Sequence, residues 1–402
     1  MFRAMLFVLS AAVAQAAPDD AKLDALRVTL TSMRGAQMPN IQKGAPRGAT
    51  SQLTTAKHQF RDWIESRLRE LGERDNTGTF ESRLNSEVRA AGLMFDPAHA
   101  SGSDAWSMEY LGYLNPVRVE RRSVFIVVVT SLGIQCGEDE SAYVYAWSGD
   151  GWQRVLQNEQ NDYTEKGYKP QFLSDVLISP WNPSNNYVAL TLGIQTWCAS
   201  NWRSIYYRAF RLGGDPLARS LVSGEENAFL GNENPIRGSV TSDDVLIQYD
   251  GPIIDSGILV RQHIRHYRID GPEAKRIDPL ALRPRDFVDE WLTHEWTEAA
   301  LWSESANRVG IRAWHRKLHK DNVYGEFIDP TMHCPATPDL WQVGVDFSEP
   351  ATPISKPPKG AYFTLRWQPP YKFSMVRVSD APSAACDRED READEGPQTL
   401  FR

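Results

Sequence analysis

The chain has 402 residues, a formal charge of −8, 41% apolar residues and 24% charged residues. At roughly 100–200 residues per domain that length predicts two or three domains, and so much apolar material excludes wholesale disorder. The acidic balance, with no stripe of clustered Lys and Arg, excludes a sequence-independent nucleic-acid binder and disfavours binding to anionic membrane.

The first sixteen residues have the layout of a secretory signal peptide. Arg3 supplies the basic start, Ala4 to Ala14 an apolar stretch, and Ala14 to Ala16 the small residues before the cut. The mature chain is expected to begin at Ala17. No later apolar run reaches the ~20 residues of a spanning helix, so no membrane span is expected in the mature chain. Residues 17–95 read as helical. Leu23, Leu26, Leu30 and Met33 recur at helical spacing, and Leu53, Ala56, Phe60, Trp63, Ile64, Leu68 and Leu71 form a second apolar face. A third face holds Phe80, Leu84, Val88 and Ala91, with Thr79 as the expected cap. The last two make a helical hairpin, whose polar side mixes charge signs and so does not suit a membrane-lying helix.

Residues 96–283 read as β structure that repeats. "SVFIVVVTSLGIQ" is a buried strand ending at Gln135, followed by a loop "CGEDES", an alternating strand "AYVYAW", a Gly turn and a returning strand. "YVALTLGIQ" opens the same series, with "TWCASNW" as its loop and "RSIYYRAFRL" as its alternating strand. "DVLIQY" and "ILVRQHIRHYRI" open a third series, and the turns at Gly151, Gly214 and Gly271 lie about sixty residues apart. The recurrence of LGIQ is thus one supersecondary unit written again. Such meanders fit a propeller-like arrangement or a sandwich.

Residues 284–305 read as a helical connector. Pro284 stands at its first turn, Val288, Leu292, Trp296 and Ala299 line one side, and Asp286, Glu290, Thr293, His294, Thr297 and Glu298 line a solvated side. Residues 306–386 read as a C-terminal antiparallel β subdomain, in which Trp341, Val343, Val345 and Phe347 alternate as a half-buried strand. Residues 387–402 read as a disordered charged tail. The fold class is mainly β (α+β by count).

Cys136, Cys198, Cys334 and Cys386 are an even set in an exported chain, which points to disulfides. Spacing alone leaves three pairings open. If the LGIQ strands are equivalent neighbours, Cys136 pairs with Cys198, and Cys334 is left with Cys386.

The motifs of chemistry are poor. "HEWTE" departs from the zincin pattern at Glu298, and Arg312, Arg316, Lys317 and Lys320 around His315 and His319 would repel a cation. His263 and His266 lie three apart in a strand and so on opposite faces, as exposed or capping histidines. No metal, cofactor or catalytic residue is assigned. Among the 13 tryptophans, Trp197 and Trp202 flank Cys198 in a loop, where an aromatic serves a core less readily, and they are the candidate ligand-binding residues. The sequence reads as an extracytoplasmic (periplasmic or secreted) non-catalytic binding or interaction module, with carbohydrate or another exported protein as partner. The alternative is a secreted carbohydrate-active hydrolase with paired carboxylates in a Trp-lined cleft.

Overall fold

The computed structural model describes residues 20–34, 47–95, 112–134, 137–160, 170–183, 187–195, 200–213, 218–230, 236–255, 260–320, 325–347 and 360–394. The signal peptide, Cys136, Trp197, Cys198 and the turn at Gly214 lie outside them. The chain divides into two compact units at Phe172/Leu173.

In the first unit, helices α1 (Asp20–Arg34), α2 (Arg47–Leu68) and α3 (Thr77–Ala90) bring the three expected apolar faces onto one core. That core also takes Ile126, Val128, Leu132, Tyr143 and Tyr145 from a four-stranded antiparallel sheet. The sheet runs in the order β1 (Arg118–Arg122), β2 (Phe125–Ile134), β3 (Gly137–Trp147), β4 (Trp152–Asn158). Two expectations are corrected. The α3 cap is Asn76, whose side chain accepts the Thr79 N–H at 3.1 Å, so Thr79 is the capped residue. "GEDES" is not loop but the start of β3, where Ile134 already faces Gly137. The acids can lie in the strand because α2 and β1 bring cations to them. Lys57 Nζ lies 2.6 Å from Asp139 Oδ2 with both side chains buried, and Arg118 holds Glu140 at 3.1 Å. Glu159, just past β4, accepts the Tyr143 hydroxyl at 2.6 Å and lies 3.2 Å from His58 and 3.4 Å from Arg61. Burial acts to raise the Glu159 carboxyl, but the Tyr143 hydroxyl and then Arg61, His58 and Lys57 overcome it and hold it below the usual carboxylate range.

The second unit holds three more antiparallel meanders. Strands β5 (Gln171–Ile178, beginning at the unit boundary), β6 (Tyr187–Gln195), β7 (Trp202–Leu212) and β8 (Arg219–Phe229) pair in chain order. So do β9 (Ile236–Val240), β10 (Asp244–Gly251), β11 (Arg261–Asp270) and β12 (Glu273–Arg276). Val188, Leu190 and Tyr207 of the one pack with Val245, Ile247 and Tyr249 of the other in a shared core. Gly224 on β8 is required here. A Cβ would stand 2.1 Å from Cζ of Tyr207, whose ring crosses that strand. The strands expected around Asp270–Gly271 form, and Gly271 turns with φ +56.

Helices α4 (Pro284–Thr293), α5 (Trp296–Ala299) and α6 (Arg308–Lys320) follow, joined by a 3-10 turn at Ser305–Asn307. The single connector helix expected over 284–305 is therefore broken: His294 is extended (φ −95, ψ 153) and ends α4. The segment at 308–320, placed in the β subdomain by the sequence pattern, is helical because Ile311, His315 and Leu318 give it one buried face. The final sheet has the order β16 (Lys372–Ser379), β15 (Gly360–Gln368), β14 (Leu340–Asp346), β13 (Glu326–His333), β17 (Arg388–Glu389). β14 is buried on both faces rather than one. Val343 and Val345 meet the helices' core, while Gln342 accepts the Ser383 N–H at 2.9 Å on the other side. Cys334 and Cys386 are disulfide-bonded across 52 residues of sequence. That bond draws part of the expected tail into the fold as β17 and the short helix α7 (Arg391–Asp394). No helix among the described residues is long and apolar enough to cross a membrane.

Candidate functional site

Of the two tryptophans singled out by sequence, Trp202 is described. It opens β7, opposite Phe229 of β8, with ring centroids 5.2 Å apart. The Trp202 N–H donates to Ser200 Oγ at 3.0 Å, and Leu230 N–H to Asn201 O at 2.6 Å, which fixes this end of the hairpin. The ring is half-buried: Phe229 supports it, and it keeps some accessible surface. The next residue, Arg203, donates from Nε to Ser200 O at 3.1 Å, and burial lowers its guanidinium from the ordinary value. Trp181, 59% exposed, is the other accessible tryptophan that stands out.

A larger polar cluster lies where the sequence predicted a solvated helix face. Period-two spacing puts Arg261, His263 and Arg265 on one face of β11. Above that face α4 presents Asp289 and Glu290, both fully buried, because Phe287, Val288, Trp291 and Leu292 carry the rest of the helix into the core. Arg261 donates from Nε to Asp289 at 2.5 Å and from Nη2 to Glu290 at 2.5 Å. Arg265 reaches Glu290 at 2.6 Å with Nη1 and Glu226 of β8 at 2.9 Å with Nε. Arg276 of β12 also grips Glu290. The other oxygen of Asp289 accepts the Ile254 N–H at 2.8 Å. Three guanidinium groups thus balance three carboxylates. Burial works to raise the Glu290 carboxyl, but Arg265, then Arg276 and Arg261, overcome it and hold it well below the usual range. Glu226 is likewise held low, burial being overcome by Arg265.

His263 donates from Nε2 to Pro252 O at 2.8 Å and stacks on Tyr249 at 5.0 Å. It is buried, not exposed, and burial first, then Arg261, lowers its ring from the ordinary histidine value. His266 points the other way, as expected, with Nδ1 donating to Asp278 O at 2.7 Å.

Three further histidines close the end of α4. A helix leaves its last carbonyls without intrahelical donors. Here His294 Nδ1 donates to Glu290 O at 2.8 Å, His319 Nδ1 to Leu292 O at 3.1 Å, and His315 Nε2 to His294 O at 2.9 Å. The second nitrogen of His294 accepts from Arg276 at 2.9 Å. Burial is the main cause that lowers the His294 and His315 rings. The four-residue spacing of "HRKLH" is thus the spacing that lets two imidazoles of α6 cap another helix. Among the described residues no group of three or more His, Cys, Asp or Glu is arranged to hold a metal ion.

Chemically, the Glu290 cluster is a clasp. A glycosidase-type acid needs a carboxyl raised in pKa and open to substrate. Glu290 is closed to solvent, and both it and Glu226 are held ionised. The sequence missed these residues because a polar helix side reads the same whether water or arginines cover it. The available signal was the alternation of Arg261, His263 and Arg265, which sets cations on one strand face.

No family model matches the chain, and no curated protein matches it. Among solved structures, a complex of BT0996 with RGII is similar at 8% identity and a TM-score of 0.21, over 65% of the present sequence and 72% of that protein. The N-terminal domain of Nup159 is similar at 11% identity and a TM-score of 0.14, over 68% and 67%. At these TM-scores neither likeness carries an argument about fold or function.

Proposed function

We propose that the chain is an exported, non-catalytic binding module whose ligand, a carbohydrate or another exported protein, is received at Trp197 and Trp202. The observation that carries this reading is the Trp202–Phe229 pair. It is an aromatic platform at the end of the second meander, backed by a fixed hairpin end and half open to solvent. Sugar rings and partner side chains both gain from such a rigid aromatic surface. The Cys334–Cys386 disulfide and the apolar leader support an extracytoplasmic location. The saturation of Glu226 and Glu290 supports binding over hydrolysis. Titration calorimetry of the mature chain against a panel of neutral and acidic oligosaccharides tests the carbohydrate arm. Trp202→Ala is expected to weaken binding about tenfold, with the ligand recovered intact. Cleavage of the ligand would favour the hydrolase reading, and unchanged affinity in Trp202→Ala would remove the platform from the site.

A further inference from the structure

Whole-chain charge argues against an anionic partner, yet α6 concentrates cations on one exposed face. Arg308, Arg312 and Arg316 form a row at four-residue spacing, about 6 Å per step, and Lys317 continues the adjoining row. All four are exposed, and among the described residues no carboxylate pairs with any of them. The nearby acids are engaged elsewhere: Glu295 lies 3.4 Å from His319, Glu298 3.8 Å from Arg276, and Glu304 2.7 Å from Arg366. Val309, 88% exposed, stands on the same face, and Leu301, 77% exposed, precedes the turn that leads into it. These are the two most exposed large apolar side chains among the described residues. The helix is rigidly backed by Ile311 and Leu318 in the core and by the two imidazoles on α4.

We propose that the segment from Leu301 to Lys317 docks on an anionic lipid bilayer, with the cation row against the headgroups and Leu301 and Val309 entering the acyl boundary. Cations alone would suit any polyanion. Exposed aliphatic side chains gain only by leaving water, and a soluble acidic sugar or nucleic acid offers them no apolar phase. Charge attracts the face to the surface, and the aliphatic pair distinguishes a bilayer from a soluble polyanion.

The test is sedimentation of the mature chain with phosphatidylglycerol vesicles and with phosphatidylcholine vesicles. Binding is expected to the former only, and to weaken as salt rises. Each cation near an anionic surface is worth about fivefold, so Arg312→Ala/Arg316→Ala/Lys317→Ala should weaken binding about a hundredfold. Leu301→Ser/Val309→Ser should weaken it about tenfold, and Arg312→Lys/Arg316→Lys should retain it. These side chains are exposed, so an unchanged melting curve verifies the fold of each variant. No binding of the parent chain to phosphatidylglycerol, equal binding to phosphatidylcholine, or a triple variant that binds as the parent would overturn the proposal. Full binding by the Leu301→Ser/Val309→Ser variant would overturn the insertion and leave a site for soluble polyanions.

Discussion

The two units solve one problem with opposite polarity. In the first, the helix brings the cations and the sheet side the carboxylates: Lys57, His58 and Arg61 of α2 face Asp139 and Glu159. In the second, α4 brings Asp289 and Glu290, and the strands bring Arg261, Arg265 and Arg276. Connectivity also differs. Lys57 and Asp139 meet as a pair of opposite charges, with Lys57 also donating to Gln160 O and Asp139 accepting the Gln171 N–H, whereas Glu290 serves three arginines at once. A close pair can be exchanged for apolar groups, because removing both partners removes both desolvation penalties. A shared hub has no such exchange, since any one removal strands several charges.

The largest effect should therefore fall on the hub. Glu290→Gln leaves three buried guanidinium groups under-compensated and should cost about 3–5 kcal/mol of stability by urea unfolding, with the loss located in the second unit by hydrogen exchange. Replacing Arg261 by Met in the same background should restore little. Lys57→Met should cost about 3 kcal/mol, and here the double variant Lys57→Met/Asp139→Leu should return to within about 1–2 kcal/mol of the parent. If the hub is rescued as readily as the pair, the distinction fails.

Acid should separate the units more gently. Unfolded histidine takes a proton at about 6.5, whereas burial lowers the folded values of His263, His294 and His315. Between those values the unfolded chain holds more protons, so the second unit should be fully stable above about pH 6.5 and lose stability as pH falls toward the folded values. Glu290 adds a second loss below about pH 4.3, the ordinary glutamate value. The corresponding low carboxyl of the first unit, Glu159, weakens that unit only below about the same pH. Exchange rates recorded from pH 8 to 5 check this, with protection in the second unit expected to fall first. The smallest effect is at a cap: Asn76→Ala should cost about 1 kcal/mol, confined to α3.

What could be read in the sequence follows from the range of each interaction. The faces of α1 and α2 were legible because Leu26, Phe60 and Trp63 recur at helical spacing, and that spacing is local. The meanders were legible because Gly turns punctuate strands at even intervals. The bond between Cys334 and Cys386 forms as the sequence leads one to expect, while Cys136 and Cys198 lie outside the described residues. The clasp was not legible. Its partners lie 25 and 29 residues from Glu290 and come together only when β11 and α4 stack. The acids of β3 read as loop in the sequence because strand propensity disfavours them until Lys57 and Arg118 arrive from distant elements. The Trp202–Phe229 pair was half legible: the sequence pattern marks Trp202 but sets it in a loop, whereas it opens β7, and Phe229, which supports it, carries no such mark.

The small strand β17 has a consequence for how the molecule behaves in company. Its pairing of Glu389 with Met332 and Arg388 with His333, together with the Asp390 N–H on Thr331 O at 2.9 Å, covers part of the outer rim of β13. An uncovered rim is a template on which another chain can add a strand. Pro330, at the register shift between Ile328 and Met332, already spoils that template further along. The stretch beyond it is guarded by a segment tethered at Cys386. Reduction would loosen that guard, and aggregation by edge pairing, visible as light scattering, should then precede any loss of helix signal. The disulfide thus ties the solubility of the chain, as well as its stability, to an oxidising compartment.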